Sequence, residues 1–234
     1  MIDRNRTYYS SNVKVNQGLK RYFLRVYQYM SLGLLVSSFF AFITVSILPL
    51  RYLMFNTNLG FVIVLSPLVI GLFMSYRKNQ ISLSLTKFLF FLYSVLIGMS
   101  LSWVFLLYTY SSVANTFLIC GVLFALMSIY GYATNKELTS LGSFLLMGLI
   151  GVFIAIFANV FIKSSALNTT ISILGVIIFT GLIAYDTQKI KSDYHSISEK
   201  SDSEKFAIFS ALYLYLNIVN LFTFLIQLVG TRRR

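Results

Sequence analysis

Six stretches of this chain run for 22 residues or more without a single Asp, Glu, Lys or Arg, and they limit what it can fold into. There are 25 such residues between Arg25 and Arg51 and 25 between Arg51 and Arg77. A further 48 run from Phe88 to Asn135, 25 from Leu138 to Ile162, 22 from Ser164 to Tyr185 and 26 from Phe206 to Thr231. A helix that crosses a bilayer needs about 20 apolar residues, so five of the runs hold one span each. The longest would measure roughly 70 Å as one helix, against a hydrocarbon core of about 30 Å. It is expected to fold as a hairpin turning around Tyr110-Ser111-Ser112 and Ala114-Asn115. The reading is an all-α polytopic membrane protein with seven transmembrane helices, near 26–48, 56–76, 87–108, 113–133, 142–162, 169–188 and 206–229.

Composition agrees. Only 11% of the 234 residues are charged, where a soluble domain carries roughly 25%. The expected organisation is a basic cytoplasmic N-terminus over 1–25, a membrane domain over 26–229 and a basic tail over 230–234. The first 25 residues lack the apolar centre of a cleavable signal peptide, so the first span is expected to act as its own insertion signal. The net charge of +12 does not indicate nucleic acid, because the basic residues lie between apolar runs and form no patch. They read as topology signals, and as ends that favour anionic lipid headgroups. With the N-terminus inside, 14 Lys and Arg fall on the inner side and five outside, which supports that orientation. The five are Arg51, Lys163, Arg232, Arg233 and Arg234, so the tail runs against the rule. Either the last segment does not fully cross or the earlier helices overrule it; the second account is preferred. The bacterial inner membrane is the expected location.

Three constellations stand out. Small residues recur at Ser94, Gly98 and Ser102 in the third span and at Gly148, Gly151, Ala155 and Ala158 in the fifth, which reads as tight helix packing before it reads as a pathway. In the seventh span Ser210, Tyr213, Asn217, Asn220 and Phe224 alternate by three and four, with Gln227 continuing the series. A face this polar cannot border lipid, so the seventh span is expected at the centre. The sixth span ends with Asp186, a carboxylate at the edge of an apolar run and at a helix C-terminus, where the dipole disfavours it. The plain alternative is a headgroup-level Asp186 paired with Lys189, and Arg77 is a second candidate partner. Lys189 to Lys205 is expected to be a solvated inner loop holding His195. Cys120 lies inside an apolar run and is read as a packing residue; no cofactor is expected.

Five stretches in order resemble the transmembrane Bax-inhibitor-motif (Bax inhibitor-1) family in its bacterial branch. They are Gly98-Met99-Ser100-Leu101-Ser102, Gly131-Tyr132-Ala133-Thr134, Thr139 through Gly151, Thr180 to Lys189 and Leu212 through Phe222; the N-terminal half fits more loosely. The resemblance implies six helices around a central seventh and a pH-sensitive calcium leak. It implies a pair of aspartates on the sixth and seventh helices as pH sensor, with an arginine of the second helix beside them. Asp186 matches the first aspartate and Arg77 the arginine, which makes Asp186 a candidate calcium ligand and Tyr213, Asn220 and Ser210 its supporting face. The second aspartate is replaced here by Asn217. One titrating group then stands where two would repel each other, so the expectation is altered pH dependence, weaker calcium attraction or no calcium flux at all. A non-conducting regulator acting through membrane-protein partners is the alternative, since the family includes eukaryotic cell-death suppressors. An intramembrane hydrolase is disfavoured, because a second aspartate and a convincing Ser or Cys nucleophile near His195 are both lacking.

Overall fold

A computed structural model describes the backbone of residues 3–198 and 203–233 and the side chains of 17–194 and 203–233. The described residues form nine helices: α1 (Asp3–Ser46), α2 (Leu48–Asn56), α3 (Leu59–Tyr76), α4 (Leu83–Ser100), α5 (Trp103–Leu107), α6 (Tyr110–Ala133), α7 (Thr139–Ile162), α8 (Ser165–Ser198) and α9 (Ser203–Val229). Seven segments are long and apolar enough to cross a membrane: Gln17–Ser46, Leu59–Tyr76, Leu83–Leu107, Tyr110–Ala133, Thr139–Ile162, Ser165–Tyr194 and Ser203–Val229. Short turns make consecutive spans antiparallel. One face of the bundle therefore carries the 77–82 and 134–138 turns and the start of α9, and the second carries α2, the 108–109 turn, Lys163 and the tail.

The last span lies at the centre. α9 packs directly against α1, α4, α6 and α8, while α3 stands outside α4 and α7 outside α8. The surround of six is thus a shell of four helices with two more flanking it. Two crossings bring backbones together. A Cβ on Gly98 would collide with the Ser37 carbonyl oxygen, and one on Gly131 with that of Ala184. Ser37 adds a hydroxyl bond to the Ser94 carbonyl at 2.7 Å and another to the Tyr215 hydroxyl at 2.6 Å, joining α1, α4 and α9. The third-span stripe of Ser94, Gly98 and Ser102 is a packing face, buried at all three positions. The fifth-span stripe is only partly one. Gly148 meets Ile178, but Gly151 faces open space, and the buried positions of α7 are Gly142, Leu145 and Val152.

Several expected boundaries move. The hairpin turns at Tyr108-Thr109, and Tyr110 to Asn115 already belong to α6, whose first turn is capped by the Thr109 hydroxyl accepting from Ser112 N–H. The basic segment before residue 26 is not wholly solvated, because Leu19, Tyr22 and Phe23 are buried in the core with Val26. The solvated loop expected over Lys189–Lys205 is largely helical. α8 continues through Ser198 because Ile190 is buried and the Tyr194 ring packs 5.4 Å from that of Tyr22. Asp186 is therefore inside a helix, and the dipole penalty expected of a C-terminal carboxylate does not apply. The His195 side chain lies outside the described residues.

The last helix runs the full depth, from Lys87–Glu204 (2.8 Å) at one end to a tail docked on the 107–112 turn at the other. Thr109 N–H donates to the Thr231 carbonyl at 3.1 Å and Arg233 N–H to that of Leu107 at 2.8 Å. The account in which the last segment fails to cross is thereby set aside.

Two outcomes are expected. Gly98→Ala should destabilise the detergent-solubilised protein by about 1–3 kcal/mol, as overpacking does, while Gly151→Ala leaves its thermal midpoint nearly unchanged; equal effects would contradict the α1–α4 crossing. With Cys120 replaced by Ala, cysteines introduced at Lys163 and Arg232 should react with an impermeant maleimide from one side of the membrane and a cysteine at Lys136 from the other. Labelling of positions 136 and 232 from the same side would refute a crossing α9.

Candidate functional site

Two helices supply the centre of the site. α8 carries Asp186 and α9 carries Asn217, and the Asn217 Nδ2 donates to Asp186 Oδ2 at 2.7 Å. Asn217 is buried and Asp186 partly buried. With its amide nitrogen directed at the carboxylate, Asn217 keeps its oxygen as the group available to a cation. Beside the pair lies a cavity of about 640 Å³ between α3 and α7, floored by α9 and α8. Ser210, Tyr213, Asn217 and Asn220 all line it, so the polar stripe of α9 borders this space as its periodicity required.

The other polar groups are held in place by local bonds. The Ser210 hydroxyl meets that of Tyr22 at 3.0 Å, tying α9 to α1. Asn220 Nδ2 donates back to the Leu216 carbonyl at 2.8 Å, which leaves its oxygen for the cavity. Next to Asp186 in the chain, Thr187 is fully buried and its hydroxyl lies 3.0 Å from Ser128, which in turn lies 2.9 Å from the Tyr27 hydroxyl. This hydroxyl chain fixes the rotation of α8 against α6 and α1, and so the direction in which Asp186 points. Its members carry no charge and share no single periodic stripe, so sequence reading passed over them.

Arg77 is not brought to the carboxylate. Its guanidinium donates to Gln80 Oε1 on the exposed end of α3. The neighbouring Lys78 lines the cavity instead, its ammonium 5.3 Å from the ring centroids of Phe206 and Phe209 and 5.9 Å from that of Tyr213. Adjacent residues at a helix end point about 100° apart, and nothing in the sequence distinguishes which of two cations turns inward. Lys189 also lines the cavity, over the Tyr185 ring at 5.9 Å, and forms no ion pair with Asp186.

Chemically the arrangement presents two carboxylates, Asp186 and Asp193, with neutral oxygens and two ammonium groups around the cavity. Among the described residues no group of three His, Cys, Asp or Glu side chains is placed to hold a metal ion. Calcium takes six to eight oxygens, so an ion here would keep much of its hydration shell.

Comparison with known proteins completes the picture. Residues 19–234 match the family model described as inhibitor of apoptosis-promoting Bax1. An uncharacterized protein of Rickettsia prowazekii is 45% identical over 235 residues, covering 100% of both chains. The inner membrane protein YbhL of Escherichia coli is 39% identical over 227 residues, 95% of this chain and 97% of the relative. An uncharacterized Borreliella burgdorferi protein is 40% identical over 215 residues, 91% of this chain and 93% of its own. A family match across all seven spans, with likeness to whole relatives from end to end, makes this chain a member of the Bax inhibitor-1 family of integral membrane proteins.

Proposed function

We propose that the protein is a calcium leak pathway of the bacterial inner membrane, N-terminus inside, in which the Asp186–Asn217 pair forms the gate. The observation that carries this reading is the bond between a carboxylate and an amide inside the bundle, open to a cavity of about 640 Å³. An ionisable side chain within a span is costly unless it faces protein or water, and here it is bonded to Asn217 and lines a cavity. The location follows the likeness to the Escherichia coli inner membrane protein and the orientation follows the distribution of basic residues.

The gate works by exchange of a hydrogen bond. Ionised Asp186 accepts from Asn217 and attracts a hydrated cation into the cavity. Protonation removes the charge and turns one carboxyl oxygen into a donor, for which the Asn217 amide oxygen is the acceptor, while the other carboxyl oxygen still accepts from Nδ2. The α8–α9 contact is then doubled and the amide oxygen is withdrawn from the cation. Cation attraction is thus present while the carboxylate is ionised and lost as pH falls through its titration. Lys78 and Lys189 set positive charge against Asp186 and Asp193 on the cavity wall, so Lys78 takes the role expected of Arg77.

Calcium flux into proteoliposomes between pH 5 and 8 tests this. Asp186→Asn is expected to flatten the pH response and lower flux several-fold, and Asn217→Asp to steepen the response, because two carboxylates would then share one proton. A wild type that passes no more calcium than empty liposomes would sink the proposal; a stoichiometric protein partner copurifying with it would then support the regulator reading. In the same assay Lys78→Gln should raise flux while Arg77→Gln leaves it near wild type. The reverse order would return the cationic role to Arg77.

A further inference from the structure

The second face of the bundle holds a separate cavity of about 330 Å³ that the proposed gate does not use. It lies between α1 and α6, above the floor made by α9. Near the opposite face these two helices touch, through Tyr27 with Ser128 and with the Phe124 ring. Toward the second face they part, and the space between them is walled by Leu34, Ala41, Val113, Phe117, Cys120 and Phe222. The walls are almost wholly hydrocarbon and aromatic. Phe117 and Tyr110, on the outer side, are 46% and 55% exposed, so the cavity opens sideways to the surroundings of the bundle.

Its depth is informative. On α6 the lining runs from Tyr110 at the helix start to Cys120. Ten residues of helix span about 15 Å, which is half of a hydrocarbon core near 30 Å. The cavity thus reaches from the headgroup level to about the bilayer midplane, the reach of one acyl chain.

Its mouth is cationic. The tail docks immediately above, with the Arg233 guanidinium 4.3 Å from the centroid of the Tyr110 ring and its Nε donating to the Tyr108 carbonyl at 3.0 Å. Arg232 pairs with Tyr108 through the backbone and its side chain is exposed. Described basic residues elsewhere on this face are Arg51 and Lys163. The tail arginines break the topological charge pattern, yet the fold ties them down by several backbone bonds at the rim of a lipid-deep apolar slot.

We propose that this cavity is a binding site for an anionic phospholipid, whose phosphate sits on Arg232 and Arg233 and one of whose acyl chains occupies the slot between α1 and α6. Aromatic Tyr110, stacked beneath Arg233, stands at the boundary between headgroup and chain, where such rings are favoured. The bound chain fills space that would otherwise separate two helices of the shell around α9.

A single tryptophan placed in the wall tests it. In full-length protein carrying Trp103→Phe and Phe117→Trp, reconstituted in phosphatidylcholine vesicles, brominated phosphatidylglycerol should quench position 117 more strongly than brominated phosphatidylcholine at the same mole fraction. The expected preference is about fivefold per arginine, the usual scale for a basic residue at an anionic surface. Arg232→Ala with Arg233→Ala should abolish it and the corresponding Lys pair should restore it, which separates lost charge from a damaged tail. Ala114→Phe, which fills the slot, should lower quenching by both lipids, and soluble glycerol phosphate should not compete. Equal quenching by the two lipids, a preference surviving in the double alanine variant, or full competition by glycerol phosphate would each overturn the proposal.

Discussion

Water is absent from the bilayer interior, so every polar group there must find its partner within the protein. For this chain that constraint falls on α9, which carries Ser210, Tyr213, Asn217, Asn220 and Gln227 along one stripe. A helix with such a face is unstable against lipid and must be enclosed. Its enclosure by α1, α4, α6 and α8 organises everything else. The close crossings at Gly98 and Gly131 exist because the shell must shut around a helix. Dispersion between near-touching backbones, with small residues at the contact, is what drives association where no hydrophobic effect operates between helices.

Enclosure is incomplete on purpose-built sides. Between α3 and α7 the stripe of α9 is left facing a cavity, and Asp186 enters that space from α8. The carboxylate is tolerable because Asn217 supplies a donor at 2.7 Å and the cavity supplies room for water. Its aim is set remotely, by the Tyr27–Ser128–Thr187 hydroxyl chain that locks the rotation of α8. On the opposite flank and the other face, the apolar gap between α1 and α6 has the reverse character, hydrocarbon walls beneath cationic arginines. These two openings of the bundle differ in lining, one bearing carboxylates and lysines and the other almost wholly apolar.

Much of this was legible beforehand. Seven spans and the central last helix follow from charge-free run lengths and from a three-four periodicity, and the pairing of Asp186 with Asn217 was implied by the family resemblance. What escaped has a common cause. The choice of Lys78 over Arg77 depends on which way a helix end is turned. The continuation of α8 past Lys189 depends on Ile190 and Tyr194 finding the core, and a mixed-charge serine-rich run does not announce that partner. The docking of the tail on the 107–112 turn joins segments more than 100 residues apart.

By itself the sequence determined the number of membrane crossings and which helix must be shielded from lipid, because both are properties of single segments in a medium that cannot solvate a backbone or an amide. Only the tertiary structure decided where the shell stays open, which of Arg77 and Lys78 lines the cavity and where the arginine tail rests. Those outcomes depend on helix rotation and crossing, and these are set by contacts between segments distant in the chain.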